Sequence, residues 1–214
     1  MTYVGLDLGT SSLKAILMDE NQSVIAEHAV PLSVSRPHDG WSEQDPQSWI
    51  NATDTAMKAL GAQADLSGVR GIGLSGHMHG ATLLDSADQV LRPCILWNDT
   101  RSFKEAAALD ADPQFRDISG NIVFAGFTAP KVAWVKNNEP DVFDKIAKVL
   151  LPKDYLRLFL IGDHVAEMSD AAGTSWLDVG KRDWSDALLA ATDLTRDHMP
   201  RLVEGSDTSG TVRD

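Results

Sequence analysis

Cysteine is nearly absent: Cys94 is alone among 214 residues, which excludes an intramolecular disulfide and a thiolate zinc cluster. No apolar run reaches membrane-spanning length. The N-terminus enters a strand containing Asp7 without the basic flank and apolar stretch of a secretory leader, so a cytoplasmic protein is expected. Positive charge is also scarce, with 19 Lys and Arg against 31 Asp and Glu and a net charge of −12. That balance argues against polyanionic partners such as nucleic acid or an anionic membrane surface. It leaves a nucleotide open, because local cations and a divalent metal set the field at such a site. The phosphate-binding pattern GxxxxGK[ST], internal repeats and low-complexity segments are missing as well. What remains is 43% hydrophobic and 23% charged, an ordinary globular composition long enough for one large domain and too short for a second of equal size.

The chain is organised around Tyr3 to Asp19, YVGLDLGTSSLKAILMD. Val4 to Leu8 reads as a strand, Gly9, Thr10, Ser11 and Ser12 as a turn, and Leu13 to Met18 as a second strand, together a β-hairpin. Asp7 stands in a strand that otherwise reads as buried, where an unpaired carboxylate is costly unless a metal or hydrogen bonds compensate. The turn brings backbone N–H groups from Gly9 onward and three hydroxyls, a concavity suited to phosphate oxygens, with Lys14 just beyond. Alone, a Gly-Thr-Ser turn between strands is usually only a turn; Asp7 favours function.

A third strand is expected over Ser23 to Leu32, with Val24, Ala26, His28 and Val30 on one buried face, then an ordered loop over Ser33 to Gln44. Asp45 followed by Pro46 starts a helix whose Trp49 and Met57 read as core, with Gly61 near its end. Val69 to Ser75 is a strand after a helix, the sign of an α/β sheet, and it exits through GHMHG, Gly76 to Gly80. The two histidines suggest metal ligands only weakly, since no third ligand lies nearby in sequence. A loop leaving a sheet strand is where α/β folds place ligand-binding groups, and His79 with Met78 offers a hydrogen bond and an apolar wall. Equally, these are two surface histidines in a glycine turn.

Ala81 to Asp85 and Val90 to Trp97 read as a second hairpin ending in LWNDTR. Asn98, Asp99 and Arg101 there put an amide, a carboxylate and a guanidinium at the end of an apolar strand, which suits a polyhydroxylated ligand; equally, Asn98 or Asp99 N-caps the next helix. Helices are expected at Phe103 to Leu109, Phe115 to Gly120, Phe127 to Asn138, Asp154 to Ile161 (Tyr155, Leu158 and Phe159 inward) and Ser185 to Thr192, with strands at Lys148 to Leu151 and Ser175 to Val179. Asp170 faces a ligand or, more commonly for a turn carboxylate, backbone N–H groups. The tail from Glu204 ends in a turn and a few strand-like residues, so the chain is expected to continue in a longer protein.

The hairpin resembles that of the FGGY carbohydrate kinases and, more distantly, of the actin, hexokinase and heat-shock chaperone superfamily. The resemblance extends over almost every residue through WSEQDP (Trp41 to Pro46), GHMHGATLLD (Gly76 to Asp85), LRPCILWNDTR (Leu91 to Arg101), GFTAPKVAWV (Gly126 to Val135), LPKDYLRL (Leu151 to Leu158) and SDAAGTSWLDV (Ser169 to Val179). It implies a ribonuclease-H-like α/β domain with a mixed sheet flanked by helices, the N-terminal domain of an ATP- and Mg2+-dependent kinase acting on D-xylulose. It further implies that Asp7 serves catalysis and the metal, that Gly9, Thr10, Ser11, Ser12 and Lys14 line the nucleotide phosphates, and that Met78, His79, Asn98 and Asp99 meet or border the sugar. Glycerol kinases carry Arg-Glu where this chain has Met78-His79, a departure that argues against glycerol. The general-base Asp is expected in a Gly-rich segment of a second domain beyond this chain, so these 214 residues hold half of an active site. No nucleic-acid or membrane partner is implied, and a homodimer is allowed. The alternatives are a kinase for another ketose or polyol such as ribulose, or a non-catalytic sugar- or nucleotide-binding module.

Overall fold

A computed structural model describes residues 1–213. In chain order the elements are β1 (Thr2–Leu8), β2 (Ser12–Asp19), β3 (Val24–Pro31), β4 (Glu43–Gln44), α1 (Pro46–Gln63), β5 (Val69–Gly76), β6 (Thr82–Leu84) and β7 (Cys94–Ile95). Then come α2 (Phe103–Asp110), α3 (Pro113–Ser119), α4 (Thr128–Asn138), α5 (Pro140–Phe143), β8 (Lys148–Leu150), α6 (Pro152–Ile161), β9 (Val165–Glu167) and α7 (Met168–Ala171). The last are β10 (Leu177–Asp178), β11 (Asp183–Trp184), α8 (Asp186–Ala190) and β12 (Arg201–Val203). They form two compact units, Met1–Val34 with Asp45–His77, and Ser35–Gln44 with the chain from Met78 onward.

The first unit is a four-stranded mixed sheet in the order β3-β2-β1-β5, antiparallel except that β5 runs parallel to β1. Side chains alternate across it. Val4, Leu6 and Leu8 of β1 and Leu13, Ala15 and Leu17 of β2 are buried on the side covered by α1, whose Trp49, Ala52, Ala56 and Leu60 are buried in turn. Each large apolar side chain withdrawn from water contributes about 1.5–3 kcal/mol. The helix starts as its sequence expects, with Asp45 Oδ1 accepting from the Gln47 N–H at 3.0 Å and Pro46 in its first turn. Met57 is only half-buried. In β3 the expected face begins at Ala26, because the pairing register with β2 shifts between Leu17 and Met18 and leaves Val24 exposed.

The second unit gathers Leu83, Ile95, Phe115, Val132, Val135, Trp176 and Leu188 into one core. Its strand pairs are β4 with β7, β6 with β8, β9 with β12 and β10 with β11. The expected second hairpin pairs its arms at two antiparallel bridges, Leu84 with Val90 and Ala81 with Ile95, the Ala81 N–H donating to the Ile95 carbonyl at 3.0 Å. Between the two bridges the ladder is interrupted at Pro93, which has no N–H to donate; the full strand partner of β6 is β8, and that of β7 is β4 at the end of the expected loop. In α6 the residues Pro152 to Leu158 are buried, while the last turn reaches the surface and exposes Phe159, correcting its inward assignment. Among the described residues no helix is long and apolar enough to cross a membrane.

Candidate functional site

In the first unit, Asp7 lies opposite Lys14 on β2 and opposite Ser75 on β5. It occupies the sheet face away from α1 and is exposed, not buried, so the expected desolvation cost does not arise. Its neighbours Leu6 and Leu8 fill the core while the odd-numbered residues look outward, and the strand tolerates the charge for that reason. The turn is tight: the Gly9 N–H donates to the Ser12 carbonyl at 3.0 Å, and a Cβ on Gly9 would meet that same oxygen at 3.0 Å. The turn thus leaves little room for a side chain at Gly9. Lys14 pairs with Glu27 at 2.7 Å, both side chains being about half exposed; such a pair is worth little and opens easily. The carboxyl ends of β1 and β5 are level, Leu8 opposite Gly76 with the His77 N–H donating to Leu8 at 2.7 Å. That edge is where α/β sheets hold ligands.

In the second unit, Met78, His79 and Gly80 make a three-residue turn, with the Gly80 N–H donating to the Met78 carbonyl at 2.8 Å and His79 at φ 63°. A γ-turn with positive φ at a non-glycine residue is strained, by about 1–3 kcal/mol. Two donors hold it from the carbonyl side: Lys131 Nζ at 2.9 Å and Thr128 Oγ1 at 3.2 Å both reach His79 O. Lys131, fully buried, also donates to the carbonyls of Gly126 and Phe127. Burial drives its ammonium down to about 7.

The imidazole of His79 lies edge-on to Phe127, centroids 4.7 Å apart, and Phe127 packs on Phe124 at 4.3 Å. Its other side rests on Gly173, where a Cβ would stand 2.3 Å from Cε1 and 2.4 Å from Nδ1. Burial first, and then the Lys131 charge, push His79 down to about 4, offset in part by the Gly173 backbone. The ring is therefore neutral at pH 7, with one N–H donor and one acceptor. Met78 is 50% exposed, Trp97 44%, and Asn98 is exposed beside it. Close packing of Gly126 on Phe124 and on the Trp97 carbonyl brings this segment up to the aromatic group around His79.

Asp99 is placed differently from either expectation. It is 1% exposed, and its carboxylate accepts from four donors: Ser42 N–H at 2.6 Å and, from Arg101, N–H at 2.9 Å, Nε at 2.9 Å and Nη2 at 2.7 Å. It caps no helix, because α2 starts after Ser102. Arg101 also pairs with Glu43 at 2.7 Å and lies 3.6 Å over the Trp41 ring, and Glu43 takes Arg92 at 2.6 Å. Asp99 thus anchors the strand end from which Trp97 and Asn98 project. Asp170 faces Lys153 at 2.7 Å inside a buried charge group with Asp154 and Arg157. His77 packs on Trp49, and no group of three His, Cys, Asp or Glu side chains that could hold a metal occurs among the described residues.

Sequence reading missed Lys131, Thr128, Phe124, Phe127 and Gly173 as parts of this site. A signal was available for Lys131, a lysine four residues from Phe127 and from Val135, both of them core positions of the same helical stretch.

The mixed sheet with its Asp-bearing hairpin defines an α/β domain of the ribonuclease-H-like, actin- and hexokinase-type class. The chain belongs to the FGGY family of carbohydrate kinases, whose N-terminal domain profile matches residues 2–214. It is similar to the xylulose kinase of Klebsiella pneumoniae, 59% identical over 212 residues that make up 99% of this chain and 44% of the relative. Against the xylulose kinase of Escherichia coli (strain K12) it is 57% identical over 211 residues, 98% of this chain and 44% of the relative. A crystal structure of a xyloylose kinase from Brucella ovis superposes with a TM-score of 0.98 at 62% identity, covering 100% of this chain and 45% of that one. The chain spans less than half the length of these relatives.

Proposed function

We propose that the chain is the N-terminal half of an ATP-dependent kinase that transfers the γ-phosphoryl group of ATP to the 5-hydroxyl of D-xylulose in the cytoplasm. The observation that carries this reading is near-complete coverage of the chain by relatives named xylulose kinase at 59% and 57% identity. Thr10, Ser11 and Ser12 offer hydroxyls to phosphate oxygens, and Lys14, released from its exposed pair with Glu27, supplies positive charge. An exposed single carboxylate, Asp7, suits a hard cation such as Mg2+ that keeps most of its other ligands as water and phosphate oxygen. When bound, that ion would neutralise charge developing on the phosphoryl oxygens.

In the other unit, neutral His79 gives and takes hydrogen bonds with ketose hydroxyls, Met78 packs on a carbon face, and Asn98 borders the sugar. Asp99 acts from behind, by fixing the strand end. The base for the attacking hydroxyl is assigned to the part of the protein outside these residues.

The test uses the complete kinase. D-xylulose should drive ADP production well above D-ribulose or glycerol, and His79→Ala should raise the Michaelis constant for xylulose and lower kcat while the constant for ATP stays nearly unchanged. One hydrogen bond to a neutral hydroxyl corresponds to about 0.5–1.5 kcal/mol, hence about a two- to tenfold change. Equal activity on glycerol, or a His79→Ala enzyme with wild-type constants, rejects the assignment.

A further inference from the structure

Resting on the reading in which His79 contacts the sugar, we infer that Lys131, with Thr128 beside it, is a positioning residue for sugar recognition. It would act by holding the carbonyl of His79 and thereby fixing the strained turn that aims the imidazole. Lys131 is too deeply buried to touch a ligand itself.

The argument is geometric. A γ-turn with φ 63° at His79 relaxes unless the surroundings over-determine it. The i to i+2 bond from Gly80 to Met78 closes the turn but leaves the His79 carbonyl without a partner from its own segment. That carbonyl instead receives Lys131 Nζ and Thr128 Oγ1 from the first turn of α4. The same ammonium binds the carbonyls of Gly126 and Phe127, the residues leading into α4, so one cation ties the His79 turn to the segment carrying Phe127. Phe127 is the ring on which the imidazole rests, and Gly173 closes the opposite side with no room for a methyl group. Backbone and ring of His79 are therefore fixed by different residues, and loss of the carbonyl clamp frees the backbone first. A displacement of the imidazole by an ångström is enough to cost turnover as well as affinity.

The clamp is tested in the complete kinase with Lys131→Met, which keeps length and apolar volume, Thr128→Val, which removes only the hydroxyl, His79→Ala, and the double variant Lys131→Met with His79→Ala. Lys131→Met is expected to raise the Michaelis constant for D-xylulose about tenfold, with the constant for ATP within about twofold of wild type, and Thr128→Val to shift it in the same direction by a smaller factor. In the His79→Ala background the Lys131→Met effect on the xylulose constant should fall to within about twofold, because a residue acting through His79 has nothing left to position. A merely structural lysine would give the same loss in both backgrounds, and that result overturns the inference. So does a Lys131→Met enzyme with an unchanged xylulose constant while His79→Ala raises it, an outcome that leaves the sugar-contact reading standing. Should Lys131→Met fail to fold, Thr128→Val decides: no sugar-selective shift overturns the clamp. If His79→Ala itself leaves the xylulose constant unchanged, the reading and the inference fall together.

Discussion

Lys131 makes a prediction about stability that needs no substrate. Its ammonium is fully buried and pushed from an ordinary 10.5 to about 7, burial being the largest cause. The three carbonyls it binds favour the charged form, so the shift states that burial outweighs them. With the folded value below the unfolded one, the unfolded chain holds the extra proton between about pH 7 and 10.5, and stability rises with pH across that window. Below pH 7 both states are protonated and the penalty is present in full. From pH 7 to pH 9.5, at about 1.4 kcal/mol per pH unit, wild type should gain about 3 kcal/mol relative to Lys131→Met, which has nothing to titrate there. His79, whose protonation the Lys131 charge affects, titrates below this window, and groups remote from Lys131 titrate equally in both proteins and cancel. In urea the difference between the two midpoints should move by about 1–2 M over the same range. Parallel curves would refute the burial argument. A wild type that loses ground to the variant as pH rises would show that the carbonyls win.

Asp7→Asn should leave the urea midpoint within about 0.5 kcal/mol of wild type, since the side chain is exposed, yet lower kcat in the complete kinase by about a hundredfold or more; turnover within a few fold of wild type contradicts the metal and phosphate role. Asp99→Ala should do the reverse, costing about 3–5 kcal/mol by stranding the buried Arg101 guanidinium, and a calorimetric loss under about 1 kcal/mol would mean that Glu43 alone satisfies it. Gly173→Ala should shift the xylulose constant upward with little effect on ATP, because the new methyl displaces the His79 ring rather than backbone; identical constants would show that the ring turns aside freely.

Asp7 and Asp99 show where sequence reading succeeds and where it stops. Both are carboxylates in or beside apolar strands. For Asp7 the hairpin was legible, because alternation and a small-residue turn are local properties. Its exposure depended on which sheet face α1 covers, and that is not local. For Asp99 the deciding partners are Ser42, fifty-seven residues away, and Arg101, two residues away. A carboxylate at the end of an apolar strand reads equally well as a ligand group and as a helix N-cap, and neither reading anticipates the ion pair with Arg101. Only the return of Ser42 and Glu43 beside β7 resolves the choice. The His79 turn carried a similar ambiguity. GHMHG announced a tight turn, but not that a lysine from α4 would hold its middle carbonyl, since a buried lysine at a core-spaced position reads as a misplaced charge until three carbonyls converge on it. Local patterns thus locate the turns on which the proposed chemistry rests. The contacts that stabilise those turns come from segments distant in sequence, and those contacts decide which carboxylate is free to meet a ligand.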